Sequence, residues 1–306
     1  MKKLFMTTAV GVALSCLKTQ GTALSATFYG PLPQDFGSGP INTFVTTDDV
    51  TGNLTSVGFT FNQAVLDLAN LPTSSKTEKE VPLPTQAKST AFDFTKVEWR
   101  PQGHIPPGIY TEPHLDFHFY TIPESVADQF DPATVGQSAF IAEGQQPPPP
   151  GFYPANYASF PQINPAFNNL IVAGEGNHWA DRNAPELQGS PHGFNETFLY
   201  GYINGVMSFE EPMLTRQFLL SLQSSPTHTF SQNISQPNLY YETALYPTDF
   251  SASFEPIDGQ YNVTLGGLTP RVATSVPEPS FSWETLAVAS FFAGSLWKRQ
   301  LKKTKI

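Results

Sequence analysis

Glu112-Pro113-His114-Leu115-Asp116-Phe117-His118-Phe119-Tyr120 alternates polar or ionisable side chains with apolar ones. Successive side chains of a β-strand point to opposite faces. The stretch therefore predicts a strand with Glu112, His114, Asp116, His118 and Tyr120 on one face and Pro113, Leu115, Phe117 and Phe119 on the other. The apolar face is expected to be core and the polar face reactive. A helix would bring His114 and His118 together at i and i+4, as in zinc-protease helices, but Pro113, the two phenylalanines and the strict alternation favour the strand.

Strand geometry limits what one ion can reach. Residues i and i+2 lie about 6.6 to 7 Å apart and i and i+4 about 13 Å apart, so His114, Asp116 and His118 cannot all bind one metal without a bend or bulge. Two of them are expected to share an ion and to draw further ligands from elsewhere, the third orienting a ligand or serving as a neighbouring base. The segment Gly174-Glu175-Gly176-Asn177-His178-Trp179-Ala180-Asp181 offers His178. The expected metal set is thus His114, Asp116, His118 and His178, with His104 and Glu112 as secondary candidates. Of the six histidines, all but His228 fall between residues 104 and 192. Imidazole with carboxylate on a β scaffold suits Zn, Mn, Fe or Cu. The plain alternative is a His–Asp network that only satisfies hydrogen bonds.

Other chemistries find less support. There is no Gly-x-Ser-x-Gly elbow, no Walker loop and no dinucleotide glycine fingerprint. Ser190-Pro191-His192 with Asp181 has triad residue types without a distinguishing pattern. The many acidic residues leave a glycosidase pair unconstrained. Asp48-Asp49 and Asp258-Gly259 lack EF-hand spacing and read as turns.

Taken in order, Gly103-His104, Pro113 to Tyr120, His178-Trp179, Tyr200-Gly201 and Glu211-Pro212-Met213 resemble an uncharacterised family of exported bacterial proteins. Its members carry a Gly-His turn, a Pro-His-x-Asp-Phe-His-Phe-Tyr strand and a later His-Trp. The resemblance spans roughly Thr43 to Leu222. It implies one coherent domain with a joint histidine site and names no reaction.

The elements that must position these residues read as strands. Proline reaches 29 residues, aromatics 13% and charged residues only 14%, and turn signals recur about every ten residues. The fold class expected is mainly β, an antiparallel sandwich or barrel with a few short helices. Candidate strands are Asn42 to Thr47, Ser56 to Phe61, Ala91 to Trp99, Leu115 to Ile122, Phe198 to Ile203, Phe250 to Glu255 and Tyr261 to Leu265. Asp48 to Asn53 is expected to join the first two as a hairpin, and Pro256 to Gln260 the last two. Helices are expected at Asn62 to Asn70 and Pro212 to Leu222. Gln145-Gln146-Pro147-Pro148-Pro149-Pro150 is a stiff connector that either divides the domain of residues 27–266 or forms a long surface loop. Gly267 to Ser275 is expected to be a linker.

The chain carries 26 Asp and Glu against 16 Lys and Arg. Half of those cations lie in the two terminal segments, so the body is strongly acidic. That excludes nucleic acid and anionic membrane as natural partners of the body and leaves divalent cations plausible company.

The ends carry addresses. Met1-Lys2-Lys3, the mainly apolar Leu4 to Leu14 and small residues at Ala23 to Ala26 predict a secretory signal peptide over residues 1–26. A rival, Ala13-Leu14-Ser15-Cys16, loosely resembles a lipoprotein cleavage box, with Ala13 where Leu is usual. Cys16 is the only cysteine. Its loss with the leader would leave no thiol for disulfides, thiolate zinc sites or cysteine catalysis. At the other end, Val276-Pro277-Glu278-Pro279-Ser280 precedes a mostly apolar segment, residues 281–297, and a basic tail. Lys and Arg resist translocation, so such a segment stalls in a bilayer with its tail in the cytoplasm. Residues 276–306 resemble the PEP-CTERM sorting signal of Gram-negative bacteria and cyanobacteria. The resemblance implies an exosortase and, before processing, cytoplasmic-membrane lipid as partners. The expected location is the envelope, surface or extracellular matrix.

Two functions fit: an exported surface protein without catalysis, or a metal-dependent, hydrolase-like enzyme in which Glu112 acts as base on bound water. Replacing Pro277-Glu278-Pro279 by alanines in the native host is expected to block tail processing and hold the protein in the cytoplasmic membrane. Unchanged processing and location on fractionation would remove the sorting assignment.

Overall fold

The computed structural model describes residues 25–69, 71–189 and 193–274. Nearly all of the expected leader, the sorting signal Val276 to Ser280 and the segment 281–297 lie outside the described residues, as do Ser190, Pro191 and His192. Among the described residues no helix is long and apolar enough to cross a membrane.

The chain is mainly β, in antiparallel sheets with a few short helices, as the composition predicts. The first sheet runs in the order Ala26–Tyr29, Gly39–Thr47, Leu54–Asn62, Gln260–Gly266, Asp249–Glu255 and Thr229–Asn233, with Gln34–Phe36 paired to Gly39–Thr47. The second runs Thr77–Glu80, Phe94–Arg100, His114–Tyr120, Val206–Thr215, Glu196–Ile203, Gly176–Asp181 and Tyr157–Ser159, with Ile171–Val172 added against Gly176–Asp181. Both expected hairpins form. Asp48 closes the first by accepting from the backbone N–H groups of Val50 and Thr51 and from the Thr51 hydroxyl, at 2.8 to 3.1 Å. This is the turn chemistry that Asp supplies.

Alternating apolar residues of both sheets meet in one core. Phe59 of the first sheet lies 5.3 and 5.1 Å from the rings of Phe117 and Phe119 of the second. Aromatic pairs at such spacing add about 0.5–1.5 kcal/mol beyond the area they bury. The core joins Phe36 to Leu265, and strands before and after residues 145–150 are neighbours in both sheets. The proline run is therefore a surface loop within one fold rather than a division. Pro147 packs on Gly205.

The opposite face of the second sheet is covered as well. Every residue of His114–Tyr120 is buried, on both faces. The chain between this strand and Glu196–Ile203 folds back over the polar side with the helices Glu124–Ala127, Pro132–Val135, Gln137–Gln145 and Phe160–Ile163. It seals that side with two small apolar clusters, one around Phe94, Phe130, Phe140 and Phe209, the other around Tyr110, Phe160, Leu170 and Phe194.

Three local expectations are corrected. Pro212 does not start a helix; it lies within the strand Val206–Thr215, and the helix is only Arg216–Ser221, capped by the Thr215 hydroxyl accepting from the Phe218 N–H. Pairing with His114–Tyr120 lapses between Glu210 and Met213, where proline has no N–H to give. Asn62 caps a 3-10 turn, Gln63–Leu66, instead of a two-turn helix. Within the expected linker, Thr269–Arg271 pairs with Ala244–Tyr246.

Glu210 points away from the covered face, among Tyr157, Tyr200 and Tyr202, whose hydroxyls donate to the carbonyls of Phe198, Ser235 and Phe152. Neither carboxylate oxygen of Glu210 has a hydrogen-bond partner among the described residues, and burial pushes its pKa up from 4.5 to about 8. A carboxyl whose folded pKa is raised favours the fold below its unfolded value and loses that contribution as the pH climbs towards about 8. Glu210→Gln is expected to be more stable than wild type at pH 8 by a few kcal/mol, on the order of 1.4 per pKa unit, and to lose the advantage near pH 4.5. Urea unfolding of both chains between pH 4.5 and 8 reads the difference.

Candidate metal centre

Three neighbouring strands lay out the covered face as a grid. Lys96, Glu98 and Arg100 stand opposite His118, Asp116 and His114, and the neighbouring strand places Phe209, Glu211 and Met213 on the same side. His178 arrives from the Gly176–Asp181 strand, where it is paired with Gly201. Glu175 enters from the tight connection just before it, where Gly176 takes φ +101° against the Tyr202 carbonyl, a conformation and an approach that a Cβ would forbid. Gly201 has a second role. A side chain there would collide with the Phe209 ring, which instead lies over the glycine and packs 4.8 Å from the His118 ring and 4.9 Å from the His178 ring.

The expected site residues divide into two groups. In the first, His118 and His178 face Glu175 and Glu211. The His118 Nε2 atom is 3.3 Å from Glu211 Oε1 and 3.8 Å from Glu175 Oε2, and His178 Nε2 is 3.3 Å from Glu175 Oε2 and 3.8 Å from Glu211 Oε2. These side chains are 0 to 4% exposed. In the second group, His114 Nε2 is 3.0 Å from Asp116 Oδ1 and His104 Nε2 is 3.8 Å from Asp116 Oδ2. Glu112 joins neither group with its side chain, which is exposed; only its backbone carbonyl takes part.

The tautomers decide what these contacts mean. His178 Nδ1 donates to the Leu170 carbonyl at 3.2 Å, His114 Nδ1 to Glu112 at 2.6 Å and His104 Nδ1 to Ile105 at 2.7 Å. A neutral imidazole has one N–H, so in His178 and His104, which burial keeps neutral, the Nε2 atom holds a lone pair. That lone pair faces a carboxylate oxygen. His114 Nε2, Asp116 Oδ1, both ring nitrogens of His118, Glu175 Oε2 and Glu211 Oε2 are all buried without a hydrogen-bond partner among the described residues. His114 Nε2 and Asp116 Oδ1 face each other at 3.0 Å. A metal-ligating histidine characteristically donates its other N–H to a carbonyl in this way.

Electrostatics point the same way. Burial drives the His178 pKa down to about 4 and that of His104 to about 3, and pushes His118 well below its ordinary range. These three imidazoles are therefore neutral at neutral pH. Burial, then the neighbouring carboxylates, raise Glu98 and Glu211 well above the carboxylate range, and burial raises Glu175. Asp116 is also opposed by burial, yet His114, His104 and Arg100 hold its pKa well below the ordinary value. Arg100 donates to Asp116 at 3.0 Å and pairs with Glu98, and Lys76 lies 3.1 Å from Glu98. Four carboxylates thus surround two permanent cations, an imbalance that a divalent ion would cancel.

Glu175 and Glu211 complete the first group without having been singled out from the sequence as ligands. Their signal was present in part: Glu211 follows Glu210 within an otherwise apolar strand, and carboxylates are rarely buried without a partner.

Among known proteins, a family model described as TTHB210-like, hypothetical protein TTHB210, matches residues 49–99. The match reaches Lys76 and Glu98 but none of the histidines. No curated protein and no solved structure matches the chain.

Gly201→Ala is expected to displace Phe209 and loosen both histidines it packs on. Overpacking of this kind costs about 1–3 kcal/mol, readable as a lower urea midpoint.

Proposed function

We propose that this chain is an exported, exosortase-sorted β-sandwich protein of the bacterial surface or matrix, whose body holds a divalent transition metal between His118, His178, Glu175 and Glu211. The observation that carries the metal reading is that His118, Glu175 and His178 each offer a buried ligand atom within 4.8 Å of the others, with one Glu211 oxygen 3.3 Å from His118 Nε2 and the other 3.8 Å from His178 Nε2. Ligands about 2.0–2.1 Å from a shared zinc in a tetrahedron stand about 3.3–3.4 Å apart. Imidazole and carboxylate ligands at this spacing suit a divalent transition ion such as Zn.

Four protein ligands in a buried pocket make a closed site, the form typical of structural zinc. A hydrolase needs an open position for water and a base beside it, and Glu112, the base expected from the sequence, keeps its carboxylate at the surface. The non-catalytic reading is therefore preferred. Export and sorting rest on the leader and on Val276 to Ser280 with the segment 281–297, and the acidic body fits a place where divalent cations are plentiful.

The purified protein is expected to retain zinc through gel filtration. Stripping it with dipicolinate is expected to lower Tm by about 8–16 °C, from about 4 kcal/mol of linkage at a thousandfold excess over Kd and about 2–4 °C per kcal/mol for a chain of this size. Glu211→Gln and His178→Ala are expected to lose the tightly held ion. A natively folded wild-type sample that retains none after zinc resupply would sink the reading.

A further inference from the structure

His104, His114 and Asp116 share no ligand with the quartet, and their arrangement stands independently of it. Each imidazole has its Nδ1–H fixed on a carbonyl and its Nε2 directed at Asp116. His114 Nε2 and Asp116 Oδ1 are buried and unpartnered. One ligand atom from each of the three side chains lies within 4.8 Å of the others, and the two rings meet edge to face at 4.8 Å. From these contacts we infer that the chain has a second divalent-cation site, formed by His104, His114 and Asp116.

The second site differs from the quartet in two ways that set its behaviour. It has one carboxylate instead of two, and the other oxygen of Asp116 accepts from Arg100 at 3.0 Å. The guanidinium also reaches towards Glu98 and Glu175. With a fixed cation between the groups and no bridging ligand, the pair is not a two-metal clamp of the kind whose ions sit about 3.5–4 Å apart. The second cation is held more weakly.

It is also more approachable. His104 belongs to a connection whose backbone is closed by its own N–H donating to the Tyr110 carbonyl at 2.8 Å, and its side chain retains 13% exposure. On the His114 side a surface cleft of about 570 Å³ is lined by Glu112, Pro113, Phe194, Asn195, Thr215 and Arg216. The Phe194 ring lies 5.1 Å from the His114 ring, so one aromatic layer separates cleft from ligand. Three protein ligands leave a coordination position for water or for a small anionic or carbonyl ligand. The second ion exchanges; the first does not.

The test is zinc stoichiometry and release in the intact chain. Wild type equilibrated with Zn(II) is expected to bind two equivalents, one passing to a chromogenic chelator at least tenfold faster than the other. His104→Ala and the gentler His104→Gln are expected to lose only the fast equivalent, and His178→Ala only the slow one. A single wild-type equivalent that survives in both His104 variants and vanishes in His178→Ala overturns the second site and leaves the quartet standing. A single equivalent lost with His104 and kept in His178→Ala supports the second site and removes the quartet. No bound zinc in wild type of native near-ultraviolet dichroism refutes both.

Discussion

Ring nitrogens that have given their only proton to a backbone carbonyl can do nothing but accept. In this protein those nitrogens are packed against carboxyl groups, several of which burial and mutual repulsion push towards holding a proton. Removing either kind of group from water costs several kcal/mol unless something positive lies between them. The covering of the second sheet makes that constraint acute. Helices and two apolar clusters that would otherwise bury a silent hydrocarbon surface close over four carboxylates and four imidazoles, and Arg100 and Lys76 answer only part of the charge.

The face that chemistry needs was legible in one strand. His114–Tyr120 alternates so strictly that the sorting of side chains into two faces follows from the pleat alone, and the distance rule separates His114 from His118 as ligands of one ion. The hairpins at Asp48 and Asp258 were legible for the same local reason. The structure then places His178 with His118, and His104 with His114 and Asp116, as two groups instead of one.

What was not legible depends on contacts distant in sequence. The covering of the polar face is hidden because nothing local to it reveals that residues 121–189 return across it. Glu211 is hidden by Pro212, whose usual place at the first turn of a helix predicts the wrong element; within a sheet the same residue interrupts a ladder. Glu175 sits in a connection with no periodicity to mark its direction. Gly201 resembles any strand glycine until Phe209 is seen lying across it.

The ribbon formed by Ala244–Tyr246 and Thr269–Arg271 has a mechanical meaning. The Ala273 N–H donates to the Thr243 hydroxyl and the Thr274 N–H to the Tyr240 carbonyl, so the folded body continues almost to the proposed sorting signal. Only residues 275–280 then separate Thr274 from the apolar segment that begins at Phe281. A fully extended chain covers at most about 3.3–3.6 Å per residue, a leash of roughly 20 Å. On the proposed reading, an exosortase would meet its cleavage site in the narrow gap between a rigid cargo and the bilayer.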